Sequence, residues 1–356
     1  MQPFFCQAGW NGNGAGRPQC CRARSVATAR RQNSRSALVT AGRGRLGAAA
    51  TDERALSLVC AASMAGKMQR AEKRLRSPLI STGDLAAVLT DPGWFVADCR
   101  FELGKPEAGI AAFRAGHLPG AAHVDLERHL AAPVKPATGR HPLPSPAEFA
   151  GTLGRLGIGN DTRVACYDAG SGAFAARLWW MLRWLGHDEV AVLDGGFKAW
   201  TDEGRPVSTD EPPPRQDVTF VPHPRPQMML DTEGVLRALA DGETLVDVRG
   251  AERFIGKTEP IDAVAGHVPG AVNLPYTENL DAGGRFRGAA ELSALWRQRA
   301  GAAAGRAPIC MCGSGVTACH GLLALEAAGI RDGRLYAGSW SEWIRDPSRP
   351  VARGAP

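Results

Sequence analysis

The chain has 356 residues, of which 44% are hydrophobic and 22% charged, as is typical of a globular protein with about two domains. Its nine cysteines are too few for a disulfide scaffold, and no stretch is apolar enough for a membrane-spanning helix. The net charge of +6 is unevenly placed, because residues 1–76 carry 12 Arg and 2 Lys against 3 acidic residues (+11), leaving −5 for residues 77–356. A nucleic-acid interface is therefore not indicated for the remainder.

The amino-terminal segment differs in texture from the rest of the chain. Its first 51 residues contain no Asp or Glu and show no sustained apolar period, so residues 1–76 are predicted to be a disordered basic extension. Two interpretations stay open: an organelle transit peptide, or an extension upstream of a start at Met64 or Met68. We accordingly expect a cytoplasmic protein, or a mitochondrial matrix protein if the extension is a transit peptide.

From Ser77 onward, helical and strand signals alternate. Ser81 has the position of a helix N-cap, and Gly186 that of a C-cap. Helices are predicted over 173–186 and 316–329. Short apolar runs predict buried strands at residues 94–98, 164–167, 190–193, 245–248, 309–312 and 335–336. This alternation predicts an α/β protein with mostly parallel sheets flanked by helices.

An internal repeat divides this part of the chain in two. Residues 114–122 (RAGHLPGAA) recur as 264–272 (VAGHVPGAV), and 96–100 (VADCR) recur as 245–249 (LVDVR). Residues 193–200 and 336–343 match in the same order. We predict two copies of one α/β domain, at 77–204 and 230–356, joined by a proline-rich linker over 205–229.

The two copies differ where chemistry is expected. Cys312 ends a predicted strand and is followed by Gly313, Ser314, Gly315 and a helix, whereas the first copy has Asp168 at the equivalent position. Two glycines let main-chain amides turn inward, and a helix N-terminus adds positive potential. Both favour a thiolate, so we expect an exposed, nucleophilic sulfur in the second copy and a catalytically silent first copy.

Other uses of these cysteines are less favoured by the pattern. A cysteine phosphatase needs a cation in its loop, and there is no Arg or Lys from Cys312 to His320. The spacing of Cys310, Cys312, Cys319 and His320 does not suit a zinc site. Neither a metal nor a cofactor is expected. Inert buried thiols are predicted for the remaining cysteines of the two copies: Cys99, Cys166, Cys310 and Cys319.

These motifs are similar to those of the tandem-domain rhodanese superfamily, over about residues 77–350. The sequence CGSGVT at 312–317 resembles the mercaptopyruvate sulfurtransferase branch, and GHxPGA at 116–121 and 266–271 and GSWSEW at 338–343 are further hallmarks. The resemblance implies two rhodanese-like domains and transfer of a sulfane sulfur from 3-mercaptopyruvate through a persulfide on Cys312. The implied acceptors are cyanide, a small thiol or a thioredoxin-like protein, with neither nucleic acid nor membrane as a partner.

The resemblance also implies roles for particular residues. Glu127, His141 and Ser314 match a proton relay. Arg253 matches one of two arginines that hold the donor carboxylate; no arginine matches the second, for which Lys257 is a weak substitute. Because His117, His267, Arg100 and Arg249 recur in both copies, structural roles are expected for them. The remaining residues implied to bind the donor are Gly313, Gly315, Val316 and Thr317.

Two other functions stay open from sequence alone. Thiosulfate is an alternative donor to the same cysteine, because relatives that use it share the missing arginine. The second alternative is a persulfide carrier module that receives sulfur from a partner and has no turnover of its own.

Overall fold

The computed structural model describes residue 75 and residues 77–212, 214–301 and 307–354. The predicted extension over 1–76 lies outside these residues, apart from Leu75. Within the described ranges, none of the helices has the length and apolar character needed to cross a membrane.

The first repeat folds into alternating strands and helices. Its elements are β1 (Leu79–Ile80), α1 (Thr82–Ala86), β2 (Trp94–Asp98), α2 (Ala108–Ala115), β3 (Ala122–His123), α3 (Leu126–His129), α4 (Pro146–Arg155), β4 (Arg163–Tyr167), α5 (Ala175–Trp184), β5 (Val190–Leu193) and α6 (Gly196–Asp202). Between α6 and the next element, the described residues of 205–225 form no regular helix or strand.

The second repeat has the same order of strands, with a 3₁₀ helix added before its first strand and another 3₁₀ helix in the place of α3. The elements are a 3₁₀ helix (Pro226–Met228), β6 (Met229–Leu230), α7 (Thr232–Ala240), β7 (Leu245–Asp247), α8 (Ala251–Phe254), β8 (Val272–Asn273), a 3₁₀ helix (Tyr276–Asn279), α9 (Ala289–Ala300), β9 (Ile309–Met311), α10 (Thr317–Ala327), β10 (Arg334–Tyr336) and α11 (Ser339–Trp343).

Each domain is built on a five-stranded sheet whose strands all run parallel. The strand orders are β1-β5-β4-β2-β3 and β6-β10-β9-β7-β8, so the two sheets repeat one topology. The predicted α/β class and the parallel sheets are confirmed. All six predicted strands are present, because apolar runs without alternation suit strands that helices cover on both faces.

Local sequence signals set several element boundaries. The Ser81 hydroxyl accepts a hydrogen bond from the Asp84 N–H, which caps α1 as predicted. Ser145 and Glu148 form a capping box at the start of α4. Gly186 follows α5 with φ +84°, a left-handed conformation that suits glycine.

One hydrophobic cluster spans both domains, and each domain has a second cluster of its own. Helices α5 and α10 bury nearly their whole surface, and residues of both, including Trp180 and Leu323, belong to one buried cluster. Each fully buried leucine stabilises the fold by about 1.5–3 kcal/mol relative to exposure. Because both helices follow the loops at residues 168 and 312, this packing brings the first domain against the carboxyl edge of the second sheet.

Residues that recur in both copies serve the fold. Arg100 pairs with Asp98 at 2.5 Å, and Arg249 pairs with Asp247 at 2.6 Å, with both pairs buried. The Nδ1 atom of His117 bonds the Phe113 carbonyl at 2.9 Å, and His267 bonds the Phe254 carbonyl at 2.8 Å. These contacts fit the structural roles expected for the repeated arginines and histidines.

Candidate active site

The candidate nucleophile lies where β9 ends and α10 begins, in a segment we call the cysteine loop, residues 312–316. Gly315 has φ +78°, and a Cβ added to it would lie 3.0 Å from the Ala337 Cα atom, so the turn requires glycine. The Gly315 N–H donates a hydrogen bond to Cys312 Sγ at 3.1 Å. Within the described residues, one amide is thus hydrogen-bonded to the sulfur, whereas the sequence predicted several amides turned toward it.

One expectation about this sulfur is wrong. Cys312 is only 2% exposed, whereas the sequence predicted an exposed thiol. The reason is tertiary: a loop of the first domain that carries Arg140 and His141 lies directly over the cysteine loop. The sulfur is therefore enclosed at the interface between domains, not open at the edge of one sheet.

A serine with a left-handed backbone conformation fixes the main chain at the candidate nucleophile. Ser339 has φ +52°, is fully buried, and accepts a hydrogen bond from the Cys312 N–H on its Oγ at 3.0 Å. The following amides of Trp340 and Ser341 donate to the carbonyls of Cys312 and Gly313 at 3.0 and 2.9 Å. The start of α11 thus holds both residues at the head of the loop.

The neighbouring thiols are chemically quiet. Burial raises the pKa of Cys310 far above its ordinary value and raises that of Cys319 to about 12. The Cys319 thiol donates to the Gly315 carbonyl at 3.3 Å. Among the residues the structure describes, no group of His, Cys, Asp and Glu side chains is arranged to hold a metal ion.

Two predicted relay residues meet across the domain interface. His141 Nδ1 lies 2.7 Å from Ser314 Oγ, although 173 positions separate the two residues. Burial lowers the pKa of His141 to about 4, helped by the nearby charges of Arg177 and Arg140. The imidazole is therefore neutral at neutral pH and can exchange a proton with the serine hydroxyl.

The third predicted relay residue is not part of this contact. Glu127 is exposed in the first turn of α3, where its N–H donates to the Asp125 carboxylate at 2.9 Å. Within the described residues, its carboxylate makes no hydrogen bond to His141 or Ser314. The nearby buried carboxylate, Asp125, is used as the N-cap of α3.

A buried arginine that the sequence did not single out contacts the loops that carry Ser314 and His141. Arg177 on α5 is 0% exposed and donates to the carbonyls of Gly315 at 3.2 Å and His141 at 3.0 Å. It thereby ties the cysteine loop to the loop that carries the histidine. The signal in the sequence was an arginine at the start of a mostly apolar stretch that was expected to pack in the core.

Arg253 lies at the site, but not alone. Its guanidinium pairs with Glu259 at 2.7 Å and with Asp262 at 3.1 Å, and Asp262 also pairs with Arg140 of the first domain. Both guanidinium groups lie close to Gly313. Arg140 was not predicted, and its place immediately before His141 was the only signal in the sequence.

The remaining predicted residues occupy different environments. Lys257 points to solvent and pairs with Glu252 at 2.6 Å, so the structure gives it no contact with the site. Val316 is the N-cap of α10 and Thr317 its first residue, and no side chain caps this helix end. The positive end of the helix macrodipole is therefore directed at the cysteine loop. Gly313 is buried beneath the two arginines.

The fold and this loop define a class of protein. The model of the rhodanese-like domain matches the chain twice, at residues 81–203 and 231–346. The chain therefore belongs to the rhodanese family, with two tandem rhodanese domains, and it is a sulfurtransferase of the rhodanese type.

Individual relatives agree with this placement. A protein of Pseudomonas aeruginosa named "Probable 3-mercaptopyruvate sulfurtransferase" is 47% identical over 287 residues, covering 78% of this chain and 98% of its own length. The thiosulfate sulfurtransferase of Rattus norvegicus is 38% identical over 248 residues, covering 67% and 81%. A solved structure, the 3-mercaptopyruvate sulfurtransferase from Leishmania major, superposes with a TM-score of 0.68 at 31% identity and covers 77% of each chain.

Proposed function

We propose that this chain transfers a sulfane sulfur from 3-mercaptopyruvate to a thiol or cyanide acceptor through a persulfide on Cys312. The observation that carries the proposal is the Ser314–His141 contact beside Cys312. A neutral hydroxyl–imidazole pair suits a donor whose reaction moves protons at a ketone. The similarity to relatives named as mercaptopyruvate sulfurtransferases supports the same donor.

In the first half-reaction the Cys312 thiolate attacks the thiol sulfur of the donor. An S–S bond forms and the donor's C–S bond breaks, and the electron pair of that bond leaves as the enolate of pyruvate. The enolate then takes a proton and leaves as pyruvate, while the persulfide stays on the enzyme. This is covalent catalysis with a stable enzyme-bound intermediate.

Ser314 and His141 have a role in this step that follows from their geometry. In the tautomer with a proton on Nδ1, His141 donates to Ser314 Oγ, which leaves the hydroxyl proton free for the ketone oxygen of the donor. Negative charge develops on that oxygen as the C–S bond breaks. A hydrogen bond placed there stabilises the transition state more than the ground state.

In the second half-reaction an acceptor attacks the outer sulfur of the persulfide. Cyanide becomes thiocyanate, or a thiol becomes a persulfide, and Cys312 returns as a thiol or thiolate. The Gly315 N–H, already on Sγ, stabilises the sulfur anion that leaves in this step. Donor and acceptor thus use one sulfur in turn, which predicts ping-pong kinetics.

Thiosulfate is the second candidate donor. The observation in its favour is the pair of guanidinium groups over Gly313, because thiosulfate is an anion. Against it stands the charge balance, since Asp262 and Glu259 already neutralise Arg140 and Arg253. Thiosulfate carries two negative charges, so the carboxylates of Asp262 and Glu259 would repel it more strongly than they repel a single carboxylate.

The test is a steady-state comparison of the two donors with cyanide as acceptor. We expect kcat/KM for 3-mercaptopyruvate to exceed that for thiosulfate. Ser314→Ala is expected to lower kcat with 3-mercaptopyruvate by roughly 10²-fold, as for loss of a proton-transfer group, and to affect thiosulfate much less. A higher kcat/KM for thiosulfate, or equal losses with both donors, would overturn the assignment.

A further inference from the structure

Two arginines from different domains leave unused hydrogen-bond donors at the same point. Arg140 uses Nη1 for its pair with Asp262, and its Nε is buried without a partner in the described part of the chain. Arg253 uses Nε and Nη2 for Glu259 and Asp262. Counting only the residues that the structure describes, the donors without a partner are therefore Nε and Nη2 of Arg140 and Nη1 of Arg253.

Gly313 lies where these donors converge. A Cβ added to Gly313 would lie 2.8 Å from Arg140 Nη2, 3.6 Å from Arg253 Nη2 and 3.7 Å from Arg253 Nη1. The residue before it in the chain is Cys312. A small anion on these donors would therefore lie beside the residue that follows Cys312, in space that the missing side chain of Gly313 leaves open.

The charges around this point favour an anion with a single charge. Arg140, Arg249 and Arg253 face three carboxylates, of Asp247, Glu259 and Asp262. The three positive and three negative charges cancel, so the cluster is close to neutral. A bound anion is therefore repelled by three nearby carboxylates. Each added negative charge costs more in this partly buried setting than in water.

We infer that Arg140 of the first domain and Arg253 of the second form one seat for the carboxylate of the sulfur donor. This inference rests on the proposed function, because it assigns the binding site for one end of the same substrate. A guanidinium matches a carboxylate through paired N–H groups, which a lysine does not reproduce. A carboxylate over Gly313 places the thiol end of a three-carbon donor toward Cys312.

The arrangement makes donor binding a property of both domains together. Arg140 comes with His141 on the same first-domain loop, so one loop brings the carboxylate partner and the proton relay to the cysteine. The Arg140 N–H donates to Ser341 Oγ at 3.0 Å, which fixes the loop independently of the guanidinium. A change at the Arg140 side chain therefore leaves this main-chain anchor in place.

The seat can be tested with two substitutions and two donors. Arg140→Met removes the donors, and Arg140→Lys keeps a charge that can still pair with Asp262 but loses the planar fork. Arg128→Met is the control, because Arg128 is an exposed arginine that pairs with Glu107. The donors are 3-mercaptopyruvate and 1-mercaptopropan-2-one, which has the same thiol and ketone but no carboxylate, each assayed with cyanide.

With 3-mercaptopyruvate, we expect Arg140→Met to raise KM roughly 10- to 100-fold, as for loss of a charge-assisted hydrogen-bond pair, with a smaller change in kcat. Arg140→Lys should lie between this variant and the native protein, and Arg128→Met should equal the native protein. With 1-mercaptopropan-2-one, all three variants should stay within about twofold of the native protein, because the lost group has nothing to bind.

An unchanged KM in Arg140→Met, or equal losses with both donors, would overturn the seat. Thermal unfolding of each variant separates such losses from misfolding. If the native protein turns over no 3-mercaptopyruvate, the proposed function fails by itself. Calorimetric titration with pyruvate then decides the inference: binding that weakens at least tenfold in Arg140→Met supports the seat, and equal binding to both proteins overturns it.

Discussion

The loops at Asp168 and Cys312 occupy equivalent places in the two domains but satisfy their amides differently. In the first domain, the Asp168 carboxylate accepts hydrogen bonds from the N–H groups of Gly170, Gly172, Phe174 and Ala175, at 2.8–3.3 Å. In the second, the Gly315 N–H is directed at a sulfur. A carboxylate thus fills the first loop, whereas the second loop carries a thiol, which under the proposed function accepts and passes on a sulfur atom.

The loops also differ in length. Helix α5 begins seven residues after Asp168, whereas α10 begins five residues after Cys312. The longer loop wraps around a carboxylate, which has two acceptor oxygens. The shorter loop turns within hydrogen-bond distance of one sulfur atom. The cysteine loop is thus the shorter of the two, and its first residue carries a thiol in place of a carboxylate.

A second difference lies behind each loop, at a position with a left-handed backbone. The first domain has Gly196 with φ +56°, and the second has Ser339 with φ +52°. The carbonyls of Asp168 and Cys312 accept equivalent amide hydrogen bonds, from Phe197 and Trp340. In the second domain this position is a serine in a strained backbone conformation, and its hydroxyl accepts a hydrogen bond from the Cys312 N–H that a glycine could not accept.

The largest effect should come from giving the cysteine loop the aspartate that the first domain has at the equivalent position. Cys312→Asp is expected to abolish sulfur transfer with every donor, by at least ~10³-fold, because no nucleophilic sulfur remains. The carboxylate can accept the Gly315 N–H, so the melting temperature should stay close to that of the native protein. Cys312→Ser is the matched control without the anion. Residual turnover near one per cent would contradict the role of Cys312.

Removing the carboxylate from the first-domain loop should lower the stability of the protein and leave kcat nearly unchanged. Asp168→Ala leaves four amides of the first loop without their acceptor and should lower the free energy of unfolding by about 2–4 kcal/mol. Asp168→Asn, which keeps one acceptor oxygen, should lose less. Urea unfolding measures both. The kcat of the folded protein should change less than twofold, and a larger drop in kcat would show that the first loop takes part in the reaction.

Ser339 allows stability and activity to be separated. Ser339→Gly relieves the left-handed strain, a gain of up to about 1 kcal/mol, but removes the acceptor of the Cys312 N–H, so net stability should change little. We expect kcat to fall roughly tenfold because the loop head loses its anchor, a loss equivalent to about 1.4 kcal/mol. Unchanged kcat with unchanged stability would show that the hydroxyl does not position the cysteine.

The smallest effect concerns acid stability at the contact between the two loops. His320 on α10 bonds the Ser171 carbonyl of the first loop at 3.0 Å, and burial lowers its pKa to about 3. A histidine kept neutral by folding favours the folded state above its unfolded pKa, about 6.5, and loses that advantage as the pH falls toward the folded value. Stability should therefore decrease from pH 6.5 downward.

Urea midpoints at pH 7.5 and 5.5 measure this dependence. His320→Gln should show a smaller decrease than the native protein, because one buried site that resists protonation is gone. His141, with a pKa near 4, contributes in the same direction and is still present in the variant. An equal decrease in both proteins would remove His320 from the acid response.

The sequence by itself determined much of the fold and the position of the candidate nucleophile. Repeated motifs separated by about 150 residues established two similar domains, and apolar runs without alternation predicted parallel strands such as Val190–Leu193. Strand, double-glycine turn and helix follow one another along the chain, so Cys312 could be placed without tertiary information. Such local patterns are legible because each depends on neighbours only a few residues apart.

Only the tertiary structure decided what surrounds that sulfur. Packing of α5 against α10 buries Cys312, brings His141 to Ser314, and sets Arg140 beside Arg253, while Glu127 stays exposed. These are contacts between residues more than 100 positions apart, and no local pattern encodes which side chains of one domain meet a loop of the other. The sequence of the second domain offers only Arg253 at this place, and folding sets Arg140 of the first domain beside it, next to Gly313.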